Sequence, residues 1–331
     1  YFFLIGGDST ALIAKKIFDA AIQLNYELSV FLILKTIDND VSGTDHTCGY
    51  GSAARLIAKA SYGIDQENRS SGGIYGMVVM GRDAGFLACA STLLRDSFSG
   101  PDLVYIPEIN FNLDYFINDI RDVYSRKKRA FFVISEGIRT NIYENGKLVY
   151  DEFGKPKNEL ILDIACKKLH KEVEKEEILG TSSLSAGTDI LISFLHSILT
   201  KEFKGIRLRF INLGYLARSF PEISLIDAIE AEAVGKAAVD YAFKNGPISG
   251  AVGIERIGQG QTYTIKLNFI ELEKISSKTK QVPAEWIGYY GKDISSEFLN
   301  YAGPLVGFID GFEHLDHLLP SSFDFNEIIK K

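Results

Sequence analysis

Asp38 and Asp40 stand one residue apart in Leu34-Lys35-Thr36-Ile37-Asp38-Asn39-Asp40, directly after the apolar run Val30 to Leu34. Two carboxylates at the end of a buried strand, beside a lysine, suit chemistry on a phosphate. One can take the proton of an attacking hydroxyl, the other can face a metal ion, and Lys35 can neutralise phosphate oxygens. By itself the tetrad Ile-Asp-Asn-Asp also fits an ordinary polar turn after a strand. Further charged groups recur at predicted strand ends: Asp8, Arg82, Glu136, Arg209 and Arg218. A single polar residue there is commonplace, whereas the set together reads as a phosphate site.

The elements that must position these groups follow from the apolar pattern. Tyr1 to Ile5 is a continuous apolar strand, of the kind found inside a parallel sheet with both faces covered. Gly6-Gly7 turns it into a helix from about Ser9 to Leu24, with Ala11, Leu12, Ile17, Phe18, Ala21 and Ile22 as its stripe. Leu28 to Leu34 is the next strand, completing a βαβ unit and so a parallel sheet, whose ligands sit beyond the strands' carboxyl ends. A helix from about Gly51 to Ile64, a polar loop from Gln66 to Gly73 and a strand from Ile74 to Met80 come next. Strands are further predicted at Leu103 to Ile106, Arg129 to Ser135 and Ile206 to Leu213, with a surface hairpin or loop at 144–158. The mixed charges from Lys167 to Glu177 read as a solvated helix face. A helix over 224–245 and a strand pair from Gly250 to Leu272 close the regular part. A chain that starts on a buried strand, with no lead-in, is expected to lack its true beginning.

Composition bounds the class. The 331 residues are 46% hydrophobic with net charge −7, enough for a large core in two lobes and unsuited to general nucleic-acid binding. Cys48, Cys89 and Cys166 are too few and too scattered for a disulfide framework or a zinc site. No run reaches membrane-spanning length and none resembles a signal peptide, so a cytoplasmic protein without membrane contact is expected.

Gly6-Gly7-Asp8-Ser9-Thr10, Lys35-Thr36-Ile37-Asp38-Asn39-Asp40, Met80-Gly81-Arg82, Pro107-Glu108 and Glu136-Gly137 occur in the order seen in phosphofructokinases, which the chain resembles from residue 1 to about 260. Arg209 to Arg218 is similar to that family's sugar-phosphate loop. Val282-Pro283-Ala284-Glu285-Trp286-Ile287 and Tyr301-Ala302-Gly303-Pro304-Leu305 resemble the tail of its pyrophosphate-using branch. The resemblance implies an α/β fold of two Rossmann-like lobes with mainly parallel sheets. The donor lobe would comprise 1–50 and about 217–275, the sugar-phosphate lobe 51–216, and 276–331 a tail lying on both. It also implies Mg²⁺-dependent phosphorylation of fructose 6-phosphate at its 1-hydroxyl, a glycolytic step.

Carried over by position, Asp38 would be the general base, with Lys35 and Arg82 stabilising charge during transfer. Asp8 would bind Mg²⁺, with Asp40 supporting the metal or its waters. Gly6, Gly7, Ser9 and Thr10 would line the donor. Thr36, Met80, Gly81 and Glu136 would contact the sugar or the transferred group, and Arg209, Tyr215 and Arg218 would hold the 6-phosphate. In the family one such arginine often reaches in from a neighbouring subunit, which implies a dimer or tetramer. His46 reads as structural.

Lys35 follows the pyrophosphate pattern, whereas Ser9 stands where the family has Gly with ATP or Asp with pyrophosphate, so pyrophosphate is favoured with ATP as the alternative. Other departures are Leu34 for a proline, Gly73 for a basic residue, Val78 for a glutamate, and apparent extra sequence from about Ile178 to Ile198. The family's opening strand, its glycine-rich turn and an arginine between donor and acceptor have no counterpart here. These departures imply a weak catalyst, or a non-catalytic sugar-phosphate-binding relative or fragment. NAD and lipid kinases share the Gly-Gly-Asp turn but do not account for Met80-Gly81-Arg82 or the arginine loop.

Overall fold

Alternate residues of the central strands are committed to different cores, and that commitment builds two doubly covered sheets. The computed structural model describes residues 1–95, 99–171, 175–176, 181–182, 184–244, 248–275, 279–288 and 291–309, with the side chains of Asp8, 175–176, 181–182, 184–186, Lys244 and Gln261 left out. The first sheet runs β1 (Phe2–Gly6), β2 (Val30–Leu34), then β7 (Ser249–Ile257) and β8 (Thr264–Ile270). The first three are parallel and β8 is antiparallel to β7. The second sheet has the order β6 (Leu208–Asn212), β3 (Gly73–Val79), β5 (Arg129–Ser135), β4 (Leu103–Tyr105), parallel throughout.

In β3, Tyr75, Met77 and Val79 join a core with α2 (Tyr50–Ser71) and α7 (Ser296–Val306), as do Phe131 and Val133 of β5. Ile74, Val78, Phe132 and Ile134 point the other way. They meet α3 (Leu113–Lys127), α4 (Ile161–Leu169) and α5 (Leu184–Glu202). A strand's period of two makes this division automatic once both faces are apolar. In the first sheet Val30, Leu32 and Leu34 meet α1 (Asp8–Gln23), while Ile33 packs with Val234 and Ala238 of α6 (Leu225–Lys244).

Several expectations are corrected. β1 is an edge strand among the described residues, and Phe2, Phe3 and Ile5 are exposed on it. Leu12 and Ile22 are exposed too, so the buried stripe of α1 rests on Ala11, Ala14 and Ala21. The polar stretch 66–71 is not a loop but the last turns of α2. Asn68 is buried there and donates to the Gly73 carbonyl at 3.1 Å, and just before the stretch the buried Asp65 pairs with Arg129 at 2.6 Å. The part of 178–198 that forms α5 is built into the second core, where Leu191 and Leu195 are fully buried. Residues 178–180 and 183 of that stretch, with 172–174 and 177 of the charged run, lie outside the described residues.

The sheets are joined through helix ends. Asp227, on the first sheet's α6, accepts from the Gly49 N–H at 2.8 Å and from the Ser52 N–H and hydroxyl at 3.0 and 2.5 Å, capping α2 from outside. α7 then lies across both helices, with the Ser224 hydroxyl donating to the Leu305 carbonyl at 2.6 Å.

Candidate active site

The carboxyl ends of β1 and β2 carry two adjoining turns. Lys35 donates its N–H to the Gly6 carbonyl at 2.9 Å, and a Cβ on Gly7 would lie 3.3 Å from that of Thr36. This places the Gly6-Gly7 turn, and the N-terminus of α1 with Ser9 and Thr10, beside Lys35 and Thr36. Such a terminus offers unpaired N–H groups and positive potential to an anion. The side chain of Asp8 lies outside what the structure describes.

Beyond Thr36, whose hydroxyl accepts from the Asp38 N–H at 3.2 Å, the chain makes its polar turn. Asn39 adopts a left-handed φ of 58° and is fully buried. Asp38 carries a buried Oδ1 with no hydrogen-bond partner. Burial pushes its carboxyl up to about 6, with the charges of Glu136 and Asp83 adding to the rise and those of Arg218 and Lys35 opposing it. Glu136, Asp83 and Arg218 come from the second sheet's loops, so Asp38 faces that sheet across the gap between the two.

Opposite, the segment after β3 crosses the end of β5. Gly137 is required there, since a Cβ on it would stand 1.9 Å from the Arg82 carbonyl. Glu136 is 4% exposed and accepts from the Thr188 hydroxyl at 3.0 Å and from the Gly81 N–H. Burial raises its carboxyl, while these donors, Arg218 and Arg82 pull the other way. Met80 and Gly81 are buried and Arg82 is half-exposed at 38%. Ser135 ties Gly81 down through its carbonyl at 2.5 Å. Glu108 binds the N–H groups of Gly85 and Val282, at 3.0 and 2.8 Å, linking this loop to the C-terminal segment.

Behind the aspartate turn lies a polar network that the sequence did not announce. His46 is held between Asp45 at 2.8 Å and Glu230 at 2.7 Å. Burial by itself would lower its pKa, but those two carboxylates hold it above the ordinary value. Arg256 pairs with Asp45 and lies 4.6 Å from the ring centres of both Tyr263 and Tyr301. The Lys280 ammonium reaches Asn39 Oδ1 at 3.0 Å and the Asp45 carbonyl at 2.6 Å. Burial lowers it to about 7, against the pull of Asp45 and Asp40.

The predicted residues thus divide. The charges of Lys35, Glu136 and Arg218 act on Asp38, and those of Arg82 and Arg218 act on Glu136, across one gap with Thr36, Met80 and Gly81 on its walls. Tyr215 is half-exposed beneath the Arg218 guanidinium, 5.0 Å from its ring centre. Arg209 does not join them. It lies within β6, 5.9 Å from the Tyr75 ring centre, lining a separate cleft of about 520 Å³ with Glu67, Ile64 and Ile211. Thr188 escaped notice because its stretch looked like an insertion. Lys280 escaped because a lysine after a polar run looks like surface.

The donors available here suit a hard cation. Cys48 is buried and burial pushes its thiol up to about 12, while both His46 nitrogens are committed. The oxygen ligands that the sequence offers here are carboxylates, Asp40 in the turn and, by its place in the chain, Asp8 at the start of α1. Among the described residues no three His, Cys, Asp or Glu side chains form a cage. Mg²⁺ needs none, being held by one or two carboxylates with water and phosphate. Among the same residues no helix is long and apolar enough to cross a membrane.

Residues 1–242 match the family model described as Phosphofructokinase. The chain is 38% identical over 309 residues to the pyrophosphate–fructose 6-phosphate 1-phosphotransferase of Rhodospirillum rubrum, covering 93% of this chain and 70% of that protein. It is 29% identical over 277 residues to the sulfofructose kinase of Alkalicoccus urumqiensis, covering 82% of this chain and 63% of that one. Among solved structures, the pyrophosphate-dependent phosphofructokinase of Nitrosospira multiformis shares the fold with a TM-score of 0.72 and 25% identity, covering 98% of this chain and 71% of that chain.

Proposed function

The chain belongs to the phosphofructokinase family, and from that premise we propose that it phosphorylates fructose 6-phosphate at the 1-hydroxyl, with pyrophosphate as the favoured donor. One observation carries the proposal: a buried carboxylate, Asp38, with an unpartnered oxygen, faces Glu136 and Arg218 from the other sheet.

In this reading the sugar's 1-hydroxyl meets Asp38 Oδ1. As its oxygen bonds to the near phosphorus of pyrophosphate, the proton passes to the carboxylate. The bond from that phosphorus to the bridging oxygen breaks, and inorganic phosphate leaves. A base whose pKa stands near 6 accepts the proton more readily than an ordinary aspartate and is still ionised at neutral pH. Lys35 and Arg82 balance charge on the transferred group, and preset cations of this kind do most of the work in phosphoryl transfer. Glu136, oriented by Thr188 and Gly81, accepts from sugar hydroxyls, and Arg218 holds the 6-phosphate. Mg²⁺ held by Asp8 and Asp40 would neutralise the donor's phosphate oxygens when bound.

The names of the relatives support pyrophosphate over ATP, and Lys35 is this chain's own contribution to that choice. The placement of Arg209 outside the Asp38 group supports its serving a neighbouring copy's 6-phosphate in a homo-oligomer. The test is formation of fructose 1,6-bisphosphate with Mg²⁺ and either donor at equal concentration. Turnover with pyrophosphate exceeding that with ATP is expected. The opposite order overturns the donor, and no turnover with either overturns catalysis by this chain.

A further inference from the structure

Asn39 sits between the two aspartates of the turn with a left-handed φ of 58°. Asparagine adopts that conformation more readily than other residues with a side chain, and here its amide is also fixed from outside. The Asn39 amide makes three hydrogen bonds. Its Oδ1 accepts from the Thr47 N–H at 3.2 Å and from Lys280 Nζ at 3.0 Å, and its Nδ2 donates to the Tyr301 hydroxyl at 2.8 Å. Tyr301 in turn donates to the Asp45 carbonyl at 2.8 Å, the same oxygen that Lys280 reaches at 2.6 Å.

Lys280 grips the turn twice more. Its own N–H donates to the Asp40 carbonyl at 2.7 Å, and the residue before it, Thr279, pairs as a β-bridge with Val41. The ammonium also lies 5.0 Å from the centre of the Phe86 ring, on the second sheet's side. One residue therefore holds the side chain of Asn39 and the main chain of Asp40, with its charge among a carbonyl, an amide oxygen and an aromatic face.

We propose that Lys280 is a positioning residue for phosphoryl transfer, fixing the left-handed turn that sets Asp38 and Asp40 in place. The proposal rests on the reading of Asp38 as the base. Lys280 touches no reacting atom. Its effect passes through Asn39, whose two sequence neighbours are the functional carboxylates. Losing the ammonium leaves the Asn39 and Asp45 oxygens with one donor each, the Thr47 N–H and the Tyr301 hydroxyl, where each had two, and loosens the turn.

Lys280→Met keeps the aliphatic stem and removes the ammonium. Amide hydrogen exchange at 36–41 should accelerate about tenfold or more, with β3 and β5 unchanged, because only the turn loses its tie. With both substrates present, kcat should fall about 10- to 100-fold, the rate equivalent of one charge-assisted hydrogen bond, while KM for fructose 6-phosphate stays within about twofold. When Asn39→Ala is already present, Lys280→Met should cost less than it does alone, since the bond that the two share is already gone. Exchange unchanged at 36–41, or faster to the same degree in β3 and β5, overturns the proposal. So does a kcat within about twofold of the parent, or losses that simply add. If the parent chain transfers no phosphoryl group, the functional reading fails, and the exchange measurement alone decides on Lys280. If Lys280→Met yields no folded protein, Lys280→Gln carries the same readouts.

Discussion

If Asp38 is the base proposed above, Asp38→Asn should make the protein more stable while stopping turnover, because one buried charge would then serve the chemistry and oppose the fold. The folded carboxyl ionises near 6 instead of 3.8. At about 1.4 kcal/mol per tenfold change in the ionisation constant, that displacement weakens the folded state by ~3 kcal/mol once Asp38 is fully charged. The sign follows from the direction. Below pH 3.8 both states hold the proton and the penalty is absent. It grows as pH rises toward 6 and is complete above that. Asparagine has nearly the same shape and never ionises, so urea unfolding should show a gain approaching ~3 kcal/mol near pH 8 and roughly half of that near pH 5. Relaxation around the site makes these upper values. In the same variant kcat should drop by about 10²- to 10⁴-fold with sugar-phosphate binding retained, and the parent's rate should fall as pH drops below about 6. No gain near pH 8 would mean that the carboxylate is not desolvated. An equal gain at both pH values would assign the effect to packing instead of charge. A variant that kept about a tenth of the rate would remove Asp38 from the role of base.

Arg129→Ala leaves Asp65, fully buried, without its ion-pair partner at the end of α2, and should cost ~3–5 kcal/mol in urea unfolding. Thr188→Val removes a donor from the buried Glu136. It should raise KM for fructose 6-phosphate by about 5- to 10-fold, with a smaller effect on kcat, read from steady-state kinetics. For His46 the folded pKa is raised, so its stabilisation is complete below about 6.5 and is lost as pH rises through the folded value. His46→Gln should therefore cost more stability near pH 6 than near pH 9, by urea unfolding at each. Gly73→Arg restores the basic residue that the resemblance places there, yet should destabilise by ~2 kcal/mol or more without lowering KM. Its φ is +94° and a Cβ would stand 2.5 Å from the Arg207 carbonyl.

Most of what could be read early was written in short-range pattern. Arg129–Ser135 is a strand over the residues predicted from its apolar run, and the carboxyl ends of β2, β3 and β5 carry the polar motifs as parallel topology requires. The misreadings share one cause. Asn68 was taken for loop because polar residues usually face water, yet its amide meets the Gly73 carbonyl and Arg129, 61 positions further on, which also pairs with the buried Asp65. Leu12 and Ile22 were taken for core because period alone cannot say how wide a face the neighbours cover.

The join between the two sheets was the least legible part, for the same physical reason. Asp45, His46, Glu230, Tyr263, Arg256, Lys280 and Tyr301 come from segments scattered over more than two hundred positions, and none of them alone announces the others. Their burial is tolerable only collectively: Asp45 offsets Arg256, His46 shares its protons with two carboxylates, and Tyr301 passes a hydrogen bond from Asn39 to the Asp45 carbonyl. A network satisfied only when complete has no local signature. It also has little freedom to drift, which suits a place that must hold two carboxylates against a phosphate. The Asp38–Asp40 turn was visible because its residue pattern is local. What keeps it in position was hidden because its bonds span distant parts of the chain.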